Sequence, residues 1–414
     1  MRISLKEKFG FADYFYIFIF IVMIVVFCTP KLNQGLFLAV VVVLLFLMVF
    51  SKFSTLGGRN RALSMSVFGF IVLIFMYRFS NISDDGWGRY VIYTLYNLQF
   101  LLVPLLATFK SKIRNYIWWG VLTIALLNLI YNIAIRIFIP EIGESARYFE
   151  EGYLETINVG TSSFYTFSLF FFDVCFFLFL NSKKRIKMIM MLLSIVTTVF
   201  IVWFSLKASV VVFYLMSVVL LVLTRGKKEM GRIWLLFITF ILCYWIFTEY
   251  SNEIIRFLVS NSPSERLTKR LVMLVDDQSV YASDSSFNSR KDLWLMSLST
   301  WLQSPISFMF GIGNHYSSGG NNYGIGQHSE LLDLLAEYGL LGGIIISAIF
   351  VKSFSSVKAY FNKQYHLQIN MIFLIYLACG FTKYIFYPII GCTVFFLLPL
   401  ASQFVSQSPN KNGF

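Results

Sequence analysis

The chain has 414 residues, of which 57% are hydrophobic and only 13% are charged. A soluble domain carries roughly 25% charged residues, so the composition excludes a soluble globular protein. Apolar runs of about 20 residues, the length that a bilayer-spanning helix needs, recur along the whole chain. A membrane β-barrel would instead alternate over segments of about ten residues. We therefore predict an all-α integral membrane protein that forms a single polytopic domain over residues 1–414.

The apolar runs predict about twelve transmembrane helices, joined mostly by short loops. They lie at approximately 14–29, 34–50, 62–79, 90–108, 116–138, 160–180, 187–205, 208–223, 233–248, 330–350, 367–386 and 389–406. The boundary between the seventh and eighth runs rests on a polar turn from Ser205 to Ser209. Phenylalanine makes up most of the aromatic content, and we expect most of these rings to face lipid.

The distribution of charge sets the orientation of these helices. If the N-terminus is cytoplasmic, most of the 34 basic residues fall in inside segments, whereas only the acids Glu7, Asp13 and Glu229 do. This pattern follows the positive-inside rule at each cytoplasmic loop, and it predicts that both termini are cytoplasmic. The net charge of +13 is then mostly charge that faces anionic lipid, so it requires no nucleic acid partner.

One outside segment, residues 249–329 between the ninth and tenth predicted spans, is much longer than the other loops. A structureless loop of this length would be unusual in a compact domain, so we predict that it is functional and partly helical. Ser262, Pro263 and Glu265 form the cap, first-turn and capping-box pattern of one helix. Arg266 and Arg270 lie four residues apart on one side of that helix.

A second loop helix is predicted to begin near Ser289, with Asp292 three residues after the cap, and to end before Pro305. Its apolar stripe consists of Leu293, Trp294, Leu298, Trp301 and Leu302. Helices with such a stripe lie in the plane of the membrane interface, and we expect this of both loop helices. The glycine-rich sequence from Gly311 to Gly326 predicts a flexible loop before the tenth span.

An ordered set of polar residues, glycines and a proline spans the end of this loop and the start of the tenth span. These residues are Arg290, Trp294, Pro305, Gly311, Gly313, Asn314, His328, Ser329, Leu335, Glu337, Gly339, Leu340 and Gly342. Their order resembles that of the O-antigen polymerase and ligase superfamily, bacterial integral-membrane glycosyltransferases with the same long outside loop. The turn from Phe204 to Ser209 is similar to the family's serine-plus-arginine turn, with Lys207 in place of the arginine. The spacing of His328, Asp333 and Tyr338 is more similar to polymerases than to ligases.

The resemblance implies a lipid-linked substrate, because such enzymes use a glycan carried on undecaprenyl pyrophosphate as donor and as acceptor. No metal-ligand motif is evident, and neither metal nor other cofactor is expected, so protein cations must neutralise the pyrophosphate leaving group. Lys207, Arg290, Arg266 and Arg270 are the predicted pyrophosphate-binding residues. Arginine can grip phosphate oxygens with two parallel hydrogen bonds, whereas lysine acts as a point charge.

A catalytic base is predicted just before the tenth span. The resemblance implies that His328 accepts the proton of the attacking sugar hydroxyl, with Arg290 as the catalytic cation. Glu330, Asp333 and Glu337 share one helical face, and such a face must line a cavity or the outer mouth rather than lipid. Glu330 or Asp333 would orient His328 or replace it as base, whereas Glu337 would serve a structural role or line the cavity.

Other polar residues within the predicted spans give weaker evidence for the site. Arg136 closes a polar stripe, with Asn128 and Asn132, toward the outer end of the fifth span, and it is a further candidate for lining a cavity. Gly311, Gly313, Gly339 and Gly342 are interpreted as close-packing or turn glycines.

The sequence therefore predicts an inner-membrane polymerase of lipid-linked repeat units, with a chain-length regulator and a flippase as further partners. A ligase that passes polymer to lipid A-core shares all these parts. A transporter of lipid-linked glycans is the alternative from another class, although no matching halves, often seen in such folds, are visible.

Overall fold

The computed structural model describes residues 14–15, 17–22, 53–80, 97–138, 162–204, 208–225, 286–312, 329–382, 385, 390–391 and 393–405. These residues are almost entirely helical, and the only β-type pairing among them is an isolated bridge between Ser182 and Val405. The predicted all-α class is confirmed for this part of the chain. The predicted spans at 34–50 and 233–248, and the loop helix predicted from Ser262, lie outside the described residues.

The α-helices are α1 Gly58–Ser80, α2 Leu102–Ala107, α3 Ser111–Phe138, α4 Ser162–Asn181, α5 Lys184–Val199, α6 Ala208–Leu223, α7 Ser286–Trp301, α8 Pro305–Phe310, α9 Glu330–Lys358, α10 His366–Thr382 and α11 Leu398–Ala401. Short 3₁₀-helices occupy Phe53–Thr55, Asn97–Leu101, Lys363–Tyr365 and Ser402–Phe404, and π-helices occupy Phe200–Phe204 and Thr393–Leu397.

Three helical stretches among the described residues are long and apolar enough to cross a membrane: Ser111–Ile135, Lys184–Val202 and Glu330–Lys358. Four shorter apolar helices lie at 60–73, 165–181, 210–223 and 393–404. All seven coincide with predicted spans, which supports a helical membrane protein. The total of twelve spans stays a prediction.

Two of the predicted spans are not continuous α-helices. The run predicted at 90–108 is described from Asn97, where a 3₁₀-helix leads into the short helix α2. Pro104 lacks a backbone N–H and lies in the first turn of α2, where that donor has no intrahelical partner in any case. In the run predicted at 389–406, residues 390–391 are α-helical, Thr393–Leu397 form a π-helix, and Leu398–Ala401 are α-helical again.

Many phenylalanine rings are buried in the protein, so the expectation that most of them face lipid is wrong for the described residues. Phe100, Phe350 and Phe395 form edge-on contacts with centroids 4.8 to 5.6 Å apart. Tyr376 contacts Phe395 edge-on at 5.3 Å, and Phe170 contacts Tyr376 at 5.6 Å. Edge-on ring pairs are attractive beyond simple contact, and these rings hold α4, α9 and α10 together at mid-bundle.

The ends of the helices lie at two opposite ends of the bundle. Asn181 at the end of α4 donates to Gln368 in the first turn of α10 at 2.9 Å, and Gln368 donates to the Leu221 carbonyl at the end of α6 at 2.8 Å. Tyr360, just after α9, lies beside Arg114 in the first turn of α3. This side, the basic end, carries Arg61, Lys110, Lys112, Arg114, Lys183, Lys184, Arg185, Lys187, Arg225, Lys352, Lys358 and Lys363.

At the opposite side, the acidic end, helix α9 begins, and its first turn carries Glu330 and Asp333. The segregation of charge along the bundle agrees with the asymmetry predicted from the sequence.

The loop helices differ in part from the prediction. Helix α7 begins at Ser286, three residues before the predicted start, and α8 was not predicted at all. The face of α7 that is buried carries Ser297 and Thr300, whereas Leu302 of the predicted apolar stripe is 55% exposed. Helix α7 packs against α9 through the side that bears Ser297. Lipid is as apolar as leucine, so apolar residues gain little by leaving it.

Candidate functional site

Helix α9, which carries the predicted acids, is broken at Gly339, about one third of the way along its length. Gly339 has φ 61° and ψ −164°, a combination that is essentially restricted to glycine. The break divides α9 into an acidic segment, residues 330–338, and a long apolar segment that reaches the basic end. It frees backbone groups at membrane depth, and these must find partners within the protein.

The segment after α8 supplies those partners. The backbone N–H of Ile312 donates to the carbonyl of Ala336 at 3.0 Å. Gly311, with φ 74°, crosses Gly339 so closely that a Cβ on Gly311 would lie 2.2 Å from the Glu337 carbonyl oxygen. A Cβ on Gly339 would lie 2.5 Å from the backbone nitrogen of Gly311. The two backbones therefore touch, and the interpretation of both residues as close-packing glycines is confirmed.

A compact corner between α7 and α8 holds this crossing in place. The Trp301 indole Nε1 donates to the Phe308 carbonyl at 3.0 Å, and the two rings stack with centroids 5.1 Å apart. Ser304 and Ser307 form a reciprocal capping box at the start of α8, with Pro305 in its first turn. The same serine–proline pattern predicted the first loop helix, so the sequence did carry the signal for α8.

A buried hydrogen bond joins the loop to the acidic segment. The Ser297 hydroxyl of α7 donates to Oδ1 of Asp333 at 2.6 Å, and Ser297 is fully buried. Short hydrogen bonds to carboxylates are about twice as strong as neutral ones. Sequence reasoning missed Ser297, although its position two helical turns after Arg290 places both residues on one face of α7.

The start of α9 is capped by the residue that follows His328. Ser329 accepts from the backbone N–H of Leu332 and donates to the Gly380 carbonyl of α10, both at 3.4 Å. Glu330 and Asp333 lie in the first turn of α9, where carboxylates interact favourably with the helix dipole. Glu337 follows one turn after Asp333, close enough for the two charges to interact. The predicted common face of these three acids is confirmed by the helical geometry of this segment.

The structure places only some of the predicted site residues. The backbone of Arg290 lies in α7, and that of Arg136 in the last turn of α3 at the acidic end. Phe204 and Ala208, on either side of the Lys207 turn, also lie at the acidic end, since α5 and α6 meet there. His328, Lys207, Arg266 and Arg270 lie outside the described residues. Their roles stay predictions.

Two further features bear on chemistry at this end. The indole Nε1 of Trp294, one turn from both Arg290 and Ser297, is buried without a hydrogen-bond partner among the described residues. Within the same part of the chain, no group of histidine, cysteine, aspartate or glutamate side chains could hold a metal ion.

These features define an all-α membrane protein in which two loop helices dock onto a broken, acid-bearing transmembrane helix. Residues 170–347, from α4 through the break in α9, match the sequence profile of a family described as O-antigen ligase. This match confirms the predicted resemblance to the O-antigen polymerase and ligase superfamily, whose members are membrane enzymes of glycan assembly. A comparison with curated proteins gives no match.

The bond between Ser297 and Asp333 makes a testable prediction. Ser297→Ala should lower the free energy of unfolding by about 1–3 kcal/mol, because a buried carboxylate loses a donor. Ser299→Ala is the matched control, since Ser299 is exposed on the same helix and donates only to the Met296 carbonyl. Thermal unfolding of the purified variants measures both changes. Equal unfolding temperatures for the two variants would show that the bond does not hold α7 on α9.

Proposed function

We propose that the protein is a membrane glycosyltransferase that polymerises undecaprenyl-pyrophosphate-linked repeat units into O-antigen or capsular polysaccharide. The growing chain leaves its lipid carrier and joins the end of a new lipid-linked repeat, on the extracytoplasmic face. The supporting observation is the docking of α7, which bears Arg290, onto the acidic segment of α9 within the matched residues 170–347. The docking brings a cation-bearing loop helix and a carboxylate cluster to one end of the bundle.

The proposed reaction is an inverting displacement without a metal. The acceptor hydroxyl oxygen attacks the anomeric carbon of the donor glycan, and the bond from that carbon to the pyrophosphate oxygen breaks. The electron pair leaves with undecaprenyl pyrophosphate, whose growing charge is neutralised by Arg290, Lys207, Arg266 and Arg270. His328 takes the hydroxyl proton, assisted by Glu330.

The carboxylates suit this assignment because they follow the proposed base closely in sequence and lie away from the basic end. Glu330 follows His328 by two residues and lies in the first turn of α9, whereas Asp333 accepts a hydrogen bond from Ser297. Glu337 and Arg136 would line the adjoining cavity.

The orientation follows from the charges. The basic end of the bundle would face the cytoplasm and the acidic end the outer side of the bacterial inner membrane, with both termini cytoplasmic. The partners would be the lipid-linked donor and acceptor, the surrounding lipid, a flippase that delivers repeats and a chain-length regulator.

The ligase alternative is favoured by the description of the matched family, O-antigen ligase. It would transfer finished polymer to lipid A-core through the same base and the same cations. The spacing of His328, Asp333 and Tyr338, which is more similar to polymerases, supports the polymerase instead.

Deletion of the gene distinguishes these functions on a glycan gel. A polymerase deletion should leave lipid A-core carrying one repeat and no ladder. Loss of a ligase should leave polymer on undecaprenyl pyrophosphate, with none on lipid A-core. Loss of a transporter should leave lipid-linked repeats on the cytoplasmic side, with neither product formed. We expect the first pattern, restored to a full ladder by the wild-type gene, and either other pattern would contradict the polymerase.

A further inference from the structure

A cavity of about 450 Å³ opens at the basic end of the bundle, away from the glycan site. It lies between the start of α1, the end of α2, the start of α3 and the end of α9. The lining of the cavity includes Gly57, Gly58, Asn60, Arg114, Ser356 and Tyr360. Its volume falls within the range of small-ligand pockets, about 300–1,000 Å³. From Leu340 to Ser356, α9 rises about 24 Å, so this cavity is separate from the acidic segment.

Three kinds of donor converge on the cavity. Gly57 lies just before α1, and its carbonyl accepts from the Arg61 backbone N–H at 3.0 Å, so it occupies the N-cap position. A glycine cap has no side chain to bond the first amides of the helix, and a bound anion can take that place. A Cβ at Gly57 would meet nothing within 4 Å, so the space before these amides is open.

Arg114 supplies a positive charge. Its Nε is buried and has no hydrogen-bond partner among the described residues. The guanidinium carbon lies 5.9 Å from the centre of the Tyr360 ring, and the Tyr360 hydroxyl donates to the Val103 carbonyl at 3.2 Å. Burial raises the pKa of Tyr360, against the opposing charge of Arg114, so the phenol stays neutral. No acidic side chain of the described residues lies at the basic end to neutralise the guanidinium.

Ser356 is a third polar group at the cavity. It lines the cavity and is only 2% exposed, and its buried hydroxyl has no hydrogen-bond partner in the described part of the chain. An unpaired buried hydroxyl is destabilising, and a hydrogen bond to a ligand oxygen would relieve this. The end of α9 does carry a partial negative charge, but amides of Ala359, Tyr360 and Phe361 bond its last carbonyls.

From this arrangement we infer a second binding site, at the basic end, for a phosphate group carried by an anionic phospholipid or a soluble phosphoester. The helix amides, the Arg114 guanidinium and the Ser356 hydroxyl are all donors, and phosphate oxygens are acceptors of matching charge. Binding of a cation is disfavoured because the positively charged Arg114 already lies in the wall of the cavity. The inference does not rest on the proposed polymerase activity.

The test uses the purified full chain in maltoside micelles at constant ionic strength. One arm adds dihexanoyl phosphatidylglycerol and the other adds inorganic phosphate or glycerol 3-phosphate, and thermal unfolding follows each. We expect saturable stabilisation of the wild-type protein in at least one arm. Saturation by phosphatidylglycerol alone would assign the site to a lipid headgroup, and saturation by the soluble anions would assign it to a free phosphoester.

Two variants remove the site in different ways. Arg114→Gln removes the charge, and Gly57→Asp adds a carboxylate that caps α1 and repels anions without a steric clash. Each should weaken binding about 10- to 100-fold. Arg185→Gln, at an exposed cation of the same end, should bind like the wild-type protein. If Arg114→Gln does not fold, Gly57→Asp decides alone. No saturable stabilisation in either arm, or equal binding by the Gly57→Asp and Arg185→Gln variants, would overturn the inference.

Discussion

Replacing Arg290 with alanine should abolish the polysaccharide ladder while the protein remains in the membrane. Loss of a donor that stabilises transition-state charge typically lowers the rate by on the order of 10²–10³. Arg290→Lys should recover only part of the activity, because lysine cannot make the two-pronged contact to phosphate. His328→Ala should be equally inactive, since a positioned base contributes about 10²–10⁴.

The matched control is the neighbouring cation on the same helix. Lys291→Ala removes one positive charge from α7, but that position is rotated by about 100° around the helix from Arg290. Its ladder should match the wild-type ladder at equal expression. Normal ladders from both Arg290→Ala and His328→Ala would remove the catalytic proposal and favour a transporter. A ladder lost equally in Lys291→Ala would indicate a general effect of charge instead.

Replacing Gly339 with alanine should give the largest effect on stability. A Cβ at this position would lie 2.5 Å from backbone atoms of Met309, Phe310 and Gly311, and none of these can move as a side-chain tip can. The positive φ adds strain of its own for any residue other than glycine. Together these terms predict a loss of roughly 2–6 kcal/mol in the free energy of unfolding. The loop helices should then separate from α9, and polymer should be lost with them.

Gly69→Ala serves as the control for this prediction. Gly69 lies in α1, where a Cβ would meet nothing within 4 Å, so the change in stability should stay within about 1 kcal/mol. Thermal unfolding and the steady-state amount in membranes report both variants. Equal stability of Gly339→Ala and Gly69→Ala would show that the crossing at Gly311 does not hold the loop on the bundle.

Hydropathy predicted the long helices well because lipid imposes a simple rule: each backbone polar group must be satisfied within a helix. The predicted run at 208–223 has the same bounds as α6, and the run at 160–180 differs from α4 by at most two residues at each end. The break in α9 could not be predicted in this way. It depends on Gly311, a residue that is distant in sequence and is brought to Gly339 only by the fold.

The contact surface of α7 shows the main limit of sequence reasoning for the site. The apolar stripe did not reveal the contact between α7 and α9, because in a membrane an apolar side chain is about equally stable against lipid and against protein. Polar side chains such as Ser297 and Asp333 are the ones that must find partners. A search for polar positions at helical spacing from Arg290 would have identified Ser297.

Reconstitution tests the central claim most directly. The purified full chain is placed in proteoliposomes with the undecaprenyl-pyrophosphate-linked repeat unit as the only glycan and with excess chelator. The predicted result is a ladder of products at whole multiples of the repeat, because one substrate serves as donor and acceptor and protein cations neutralise the leaving group. Products no longer than one repeat, or a ladder that appears only when magnesium is restored, would contradict this account.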